Sequence, residues 1–339
     1  MKQETITGAP FARSDETAFS MTADVLIALI PALIWGVYAY GLRALVVTVL
    51  CLLFSLAFQA LFKRLFHPNQ TINAFGACLY GLMLAMILPA SVPLWVLPIL
   101  SLVLITLAPD AIGGIGKGFV PSIVLSKLLY FACFPAWRGH FPLPFVALKP
   151  FSLAPSAEEL LIKTTSLTPL LQWRESGSDE AIAPSALLTG STAACIGEGA
   201  GILLLCGLLY LMIRRVIAWQ IPVLSLATAL ILTFLFPRMG DAMQYAPAFL
   251  LSGGMIFCCG FLAPLFGTAP VTRPGRIITG VLLGALCVLA RFFLSDAMGA
   301  YFAVLFVGVL SPWLDRLCAP IPFGARHLSR PTPTQENGL

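Results

Sequence analysis

Side chains able to do chemistry are sparse in this chain, and most stand in or beside apolar runs. Thr164, Thr165, Ser166 and Thr168 lie between Lys163 and Arg174. Hydroxyls flanked by two cations suit a phosphate group, which takes charge-assisted hydrogen bonds from lysine and arginine; an ordinary Ser/Thr/Pro loop has the same composition. Glu198 sits in Cys195-Ile196-Gly197-Glu198-Gly199-Ala200-Gly201, where small residues let another backbone or a flat ligand approach closely. Its carboxylate could accept a hydrogen bond from a ring N–H or hold a cation. The plainer reading is a first-turn acid that complements a helix dipole.

Three more charges interrupt or border apolar runs: Asp24, Lys127 and Arg291. On insertion scales a charge at a membrane-helix centre costs roughly 2.5–3.5 kcal/mol. Asp24 and Arg291 stand near the ends of their runs, where the expectation is reach to the interface and snorkelling. Lys127 stands in the middle, where it must either snorkel or pair with an anion.

Other motifs are weaker. Gly113-Gly114-Ile115-Gly116-Lys117-Gly118 looks phosphate-friendly, but no Ser or Thr follows the Gly-Lys pair and no strand precedes it, so a turn is the better reading. The nine cysteines show no C-x-x-C spacing, and His67, His140 and His327 lie in loops or tails. That argues against a self-contained zinc, iron–sulfur or bis-histidine haem site.

The elements that must position these residues follow from composition. Of 339 residues 59% are hydrophobic and only 10% charged, against roughly 25% charged in soluble domains. A soluble surface cannot be made from so little charge, so the excess apolar surface faces lipid. The net charge of +5 comes from basic residues at the ends of apolar runs, never a stripe with interleaved aromatics, which excludes a nucleic-acid surface. The first twenty residues are polar and read against a cleavable signal.

Apolar runs at 21–41, 43–62, 72–90, 93–110, 119–137, 199–218, 220–237, 246–266, 276–295 and 298–317 predict an all-α membrane protein of about ten transmembrane helices. Twelve Lys and Arg in the segments on the N-terminal side, against Arg43, Arg238 and Arg291 opposite, place both termini in the cytoplasm. The expected organisation is a cytoplasmic segment 1–20, five helices in 21–137, a long outer loop 138–198, five helices in 199–319 and a disordered cytoplasmic tail 320–339. Five helices on each side of the loop permit a five-plus-five repeat.

Several stretches resemble a known family. They are Ile196-Gly197-Glu198 through Tyr210 to Ala218-Trp219-Gln220-Ile221-Pro222, Phe249 to Gly254, Tyr301 to Leu305 and Pro312-Trp313-Leu314-Asp315-Arg316, with Gly113 to Gly116 and Pro121 upstream. In order and spacing they resemble the D component of the Rnf electron-transport complex and the B component of the sodium-pumping NADH:quinone reductase. The resemblance implies a multi-pass component of a bacterial inner-membrane complex, partnered by the other Rnf-type subunits, that passes electrons through a flavin and couples this to Na⁺ or H⁺ movement. In that family a threonine on the outer side carries FMN through a phosphoester; riboflavin is a second candidate cofactor. Laid on this chain the acceptor is Thr168, with Thr165, Pro169, Leu170, Gln172 and Trp173 in register. Lys163 and Arg174 become candidate phosphate partners, and Glu198 an acid lining the site.

The chain departs from the attachment motif at three positions. Ile162 stands where the family has Asp, Ser166 replaces Gly and Leu167 replaces Ala. Those departures keep a second reading open, a family member without covalent flavin that serves as a membrane scaffold or a small-solute channel. A soluble NAD(P)H dehydrogenase is excluded, since nothing resembles a dinucleotide site.

Overall fold

The computed structural model describes residues 18–66, 74–108, 121–137, 139–146, 148–165, 184–238, 242–265, 269–294 and 296–318. The expected N-terminal segment and tail, the Gly113–Gly118 turn, Thr168 and Arg174 lie outside the described residues.

Helices form where the apolar runs predict them. They are α1 (Ala18–Tyr40), α2 (Leu42–Phe66), α3 (Ala74–Ile87), α4 (Leu97–Thr106, preceded by a 3₁₀ turn Leu94–Val96) and α5 (Ser122–Cys133). The central loop that follows holds two short helices, α6 (Ala157–Lys163) and α7 (Pro184–Thr189). After it come α8 (Gly201–Ile213), α9 (Gln220–Leu235), α10 (Ala242–Leu251), α11 (Met255–Phe257, continued by a π turn Cys258–Leu262), α12 (Arg273–Phe293) and α13 (Gly299–Leu317). The loop also holds a two-residue ladder, so the chain is helical but not wholly all-α.

Length separates the helices into two groups. α1, α2, α12 and α13 are long and apolar enough to cross a membrane, and α10 with α11 makes a fifth span bent by 60°. A helix of 23 residues rises about 34 Å, against a hydrocarbon core of about 30 Å. α3, the 3₁₀ turn with α4, α5, α8 and α9 are apolar but shorter, at 10–17 residues each. The expected span 246–266 is therefore two half-helices. The expected span 72–90 stops as a helix at Ile87 and continues as a turn, closed by the Val92 N–H on the Pro89 carbonyl at 3.1 Å, because Pro89 supplies no backbone N–H.

Burial is arranged for lipid. Ile27, Ile34, Leu53, Leu209, Ile231, Leu289 and Phe306 face outward from helix middles, a density of exposed large apolar side chains that water would not tolerate. The interior is made of small residues that let backbones meet. Gly207 brings α8 onto α1, where a methyl group would stand 2.5 Å from the Ala28 carbonyl oxygen. Gly284 brings α12 against Ser225 and Thr228 of α9 in the same way. The principal neighbours are α2 with α3 and α4, α4 with α5, α9 with α10 and α12, and α12 with α13; α1–α8 and α5–α13 join the two halves.

Candidate functional site

Two breaks in the helices bring the chemistry together. At the first, α3 ends at Ile87 and the chain runs through Leu88 to Val92 before the 3₁₀ turn. Arg43, at the start of α2, is fully buried there and donates to the carbonyls of Ala90 (2.8 Å), Val92 (3.1 Å) and Lys149 (2.7 Å) and to the Ser152 hydroxyl (2.7 Å). One guanidinium thus ties the break to the central loop. At the second, Gly253 and Gly254 take left-handed φ of 58° and 67° between α10 and α11, a backbone conformation that glycine adopts without steric cost. Arg291 donates to the carbonyls of Phe249 (2.6 Å), Ser252 (2.5 Å) and Gly253 (2.9 Å) and lies 4.6 Å from the Phe249 ring centroid.

Arg291 does not snorkel, contrary to the expectation from its place near a helix end; it is 1% exposed. The reason is the break. Carbonyls at the end of α10 lack the N–H donors that a continuing helix would supply, and leaving a buried carbonyl unpaired in an apolar interior costs several kcal/mol. A planar fork of donors satisfies three of them from one side chain.

Between the breaks lies a buried ion pair. Lys127, from the middle of α5, approaches Glu198 Oε1 at 3.4 Å, and both residues are nearly inaccessible, at 2% and 8%. The Lys127 ammonium also donates to the carbonyl of Ile87, lies 3.2 Å from Cys195 Sγ and sits over the Tyr301 ring, 4.4 Å from its centroid. The Tyr301 hydroxyl donates to the same Glu198 oxygen. Glu198 is held by its own loop, since Ile196 and Gly197 donate backbone N–H groups to Leu88 (3.1 Å) and Met86 (2.8 Å). The pairing alternative for Lys127 is the one realised. Glu198 precedes α8 by three residues but faces inward as the counter-ion, rather than complementing that helix's dipole.

A cavity of about 20 Å³ lies against Lys127 and Glu198, bounded by Phe141, Thr192, Ser252 and Gly253. About 10–15 Å³ is enough for one water. Phe141 belongs to the ladder of the central loop, in which β1 (Phe141–Pro142) pairs antiparallel with β2 (Thr164–Thr165), Phe141 opposite Thr165. Leu143 N–H donates to the Lys163 carbonyl at 3.0 Å, and His140 Nδ1 lies 3.1 Å from Thr164 Oγ1. The ladder therefore sets Thr165 opposite Phe141, a residue of the cavity wall.

Of the residues read from sequence, Lys163 closes the last turn of α6 and pairs with Glu159 at 3.5 Å. Thr165 is half-buried in β2. Ile162 is 74% exposed on α6. Asp24 accepts from Tyr210 (3.0 Å) and pairs with Arg214 (3.2 Å), whose side chain is half-exposed, as a charge near a helix end should be. No group of three or more histidine, cysteine or acidic side chains able to hold a metal occurs among the described residues.

Four contributors were not singled out as site residues in the sequence: Cys195, Tyr301, the Gly253-Gly254 pair and Arg43. Two adjacent glycines inside an apolar run signal a broken helix. Arg43 and Tyr301 carry no local signal, since their partners are remote in the chain.

A helical membrane chain with broken helices and buried charges at the breaks is a transporter-like class of protein. Comparison with known proteins narrows the class: the model of the NQR2, RnfD, RnfE family matches residues 5–324, and the chain belongs to that family. It is 29% identical over 332 residues to the D component of the Na⁺-translocating ferredoxin:NAD⁺ oxidoreductase complex of Acetobacterium woodii, covering 96% of this chain and 97% of that one. It is 27% identical over 330 residues to the D component of the proton-translocating ferredoxin:NAD⁺ oxidoreductase complex of Clostridium ljungdahlii, covering 95% and 97%. The D component of the ion-translocating oxidoreductase complex of Methanosarcina acetivorans is 27% identical over 301 residues, covering 88% and 90%.

Proposed function

We propose that this protein is the D-type membrane component of an Rnf-type ion-translocating electron-transport complex, working with the other subunits of that complex in a bacterial inner membrane. Its relatives are named as components of ferredoxin:NAD⁺ oxidoreductases that translocate Na⁺ or protons. The ten apolar segments cross the bilayer with both termini in the cytoplasm and the central loop outside. The neighbour pattern supports a five-plus-five repeat. Exchanging α1, α2, α3, α4 and α5 for α8, α9, α10, α12 and α13 turns the α2–α4 contact into α9–α12, and α4–α5 into α12–α13. The same exchange leaves α1–α8 and α5–α13 as the seams.

The observation that carries the redox reading is the ladder. Thr165, three residues before Thr168 in the sequence, pairs with Phe141, which lines the cavity that Lys127 and Glu198 also line. Support for FMN comes from the loop's chemistry: the Lys163 side chain is 29% exposed and can meet a phosphate oxygen, Thr168 would supply the ester oxygen and Arg174 a second cation, while exposed Leu161, Ile162 and Phe145 offer apolar surface. A bound flavin would supply conversion between one- and two-electron steps. The protein's own part would be to anchor the phosphate through Lys163, Thr168 and Arg174.

The test is in-gel flavin fluorescence after denaturation, with a flavin transferase co-expressed. A fluorescent band that darkens in Thr168→Ala is the expected result; a dark wild-type band removes the covalent flavin. That outcome would favour the second reading, a scaffold or channel without covalent flavin, which rests on Ile162, Ser166 and Leu167 at the attachment motif.

A further inference from the structure

The ligands around the Lys127 ammonium are those of a small-cation site. They comprise a main-chain carbonyl at the end of a half-helix (Ile87), a buried carboxylate oxygen (Glu198, 3.4 Å), a thiol (Cys195, 3.2 Å) and an aromatic face (Tyr301, 4.4 Å). Half-helix carbonyl ends are where transporter folds with discontinuous helices coordinate mobile cations. Here the position is filled by a charge that belongs to the chain. The other broken helix is treated alike, its carbonyls at Phe249, Ser252 and Gly253 taken by the guanidinium of Arg291.

We infer that Lys127 is a tethered cation occupying a monovalent-cation site formed by the Ile87 carbonyl, Glu198 and Tyr301, and that its ammonium excludes a free Na⁺ or K⁺ from those ligands. Geometry makes the substitution direct. The ammonium is compact, carries one positive charge and is held by acceptors on several sides, with the Tyr301 hydroxyl already donated to the carboxylate rather than competing for the cation. The adjoining cavity, about 20 Å³ and bounded by Lys127, Glu198, Ser252 and Gly253, has room for one water next to the carboxylate. A lysine at this point cannot leave the site as an ion does, so translocation through this position would require its displacement. The inference holds whether or not the chain carries a flavin.

The test uses the full chain in lipid nanodiscs and follows its unfolding temperature in NaCl, KCl or choline chloride at one ionic strength. A ligand that binds only the folded state raises that temperature in proportion to the logarithm of its concentration once above its Kd. Wild type should give the same temperature in all three salts. Lys127→Met, which keeps the apolar stem and removes the charge, should unfold about 4 °C or more higher in NaCl or KCl than in choline. Adding Glu198→Gln to Lys127→Met should abolish that gain. A folded Lys127→Met with no Na⁺ or K⁺ response overturns the proposal, as does a wild type that responds equally. A Lys127→Met that aggregates in every salt, ammonium chloride included, also overturns it, because a vacated cation site must be rescued by a small cation.

Discussion

The two helix breaks solve one problem in different ways. At Ile87 the free carbonyl meets a lysine whose charge is balanced by Glu198 a few ångströms away. At Phe249–Gly253 three carbonyls meet an arginine that spends its fork on backbone and rests its face on an aromatic ring. The second arrangement is structural by its chemistry: a planar guanidinium holds its three carbonyls in one fork and cannot exchange them singly. The first pairs two side chains, each able to change partner, beside a cavity. The proposed cation site lies at the lysine break, while the arginine break is a structural tie.

The largest expected effect strikes the arginine side. Arg291→Leu removes three charge-assisted hydrogen bonds to buried carbonyls and should destabilise the protein by more than about 3 kcal/mol, hydrogen bonds to charged groups being worth about 1.5–3 kcal/mol each. A several-fold fall in monodisperse yield and a lower unfolding temperature are the readouts. Arg291→Lys should recover only part of the loss, because an ammonium cannot reproduce the planar fork. If Arg291→Leu is as stable as wild type, the distinction between the two breaks collapses.

The lysine side should show coupling instead. Glu198→Gln leaves the ammonium without its counter-charge, an expected loss of about 2–4 kcal/mol. Combining it with Lys127→Met should cost less than the sum of the single changes, with an interaction energy of about 1–3 kcal/mol. A double-mutant cycle read by thermal unfolding in choline chloride decides this, and strict additivity would deny that the two side chains act as a pair.

The glycines sharpen the comparison further. A methyl group at Gly254 would stand 2.6 Å from the Glu198 carboxyl carbon and 2.8 Å from the Tyr301 hydroxyl, on a backbone with φ of 67°. Gly254→Ala should therefore destabilise by about 1–3 kcal/mol and disturb the lysine cluster, while Gly139→Ala, with nothing within 4 Å, should be near neutral. Equal effects at the two positions would mean that Gly254 is only a loop residue.

The smallest effect lies in the central loop. Ser156 and Glu159 form a capping box at the start of α6. Partial burial raises the Glu159 carboxyl, but the Ser156 backbone N–H and the ammonium groups of Lys149 and Lys163 outweigh it, holding the group below the ordinary carboxylate range. A lowered value in the folded state means that the stabilisation is present at neutral pH. It fades as the pH drops from the ordinary value, about 4.3, through the lowered one. Hydrogen exchange over residues 156–165 should lose protection across that window in wild type but not in Glu159→Gln. Unchanged protection at acid pH would show that the carboxylate does not hold the helix.

Much of the architecture could be read along the chain. The apolar runs located α1–α5 and α8–α13 because a run of twenty apolar residues has one low-energy fate in lipid, a helix that satisfies its own backbone. Where the reading failed, at span 246–266 and at the turn after Ile87, hydropathy stays high across a break, so composition does not register it. The site was legible only in fragments. Lys127 and Glu198 each stood out as an isolated charge, and Gly253-Gly254 as part of a family-like stretch; nothing local joined them. The short pairing of β1 with β2 was likewise unforeseen, since two residues carry no periodicity.

What the sequence determined by itself is the solvent of this protein and the family it resembles, because both are written in composition and in the order of short motifs. Which charges face which carbonyls was decided by tertiary structure alone. Lys127 and Glu198 are 71 residues apart and Tyr301 lies 103 beyond Glu198, so their meeting depends on how α5, α13 and the loop before α8 pack. In a medium without water, packing is what selects each buried charge's partner.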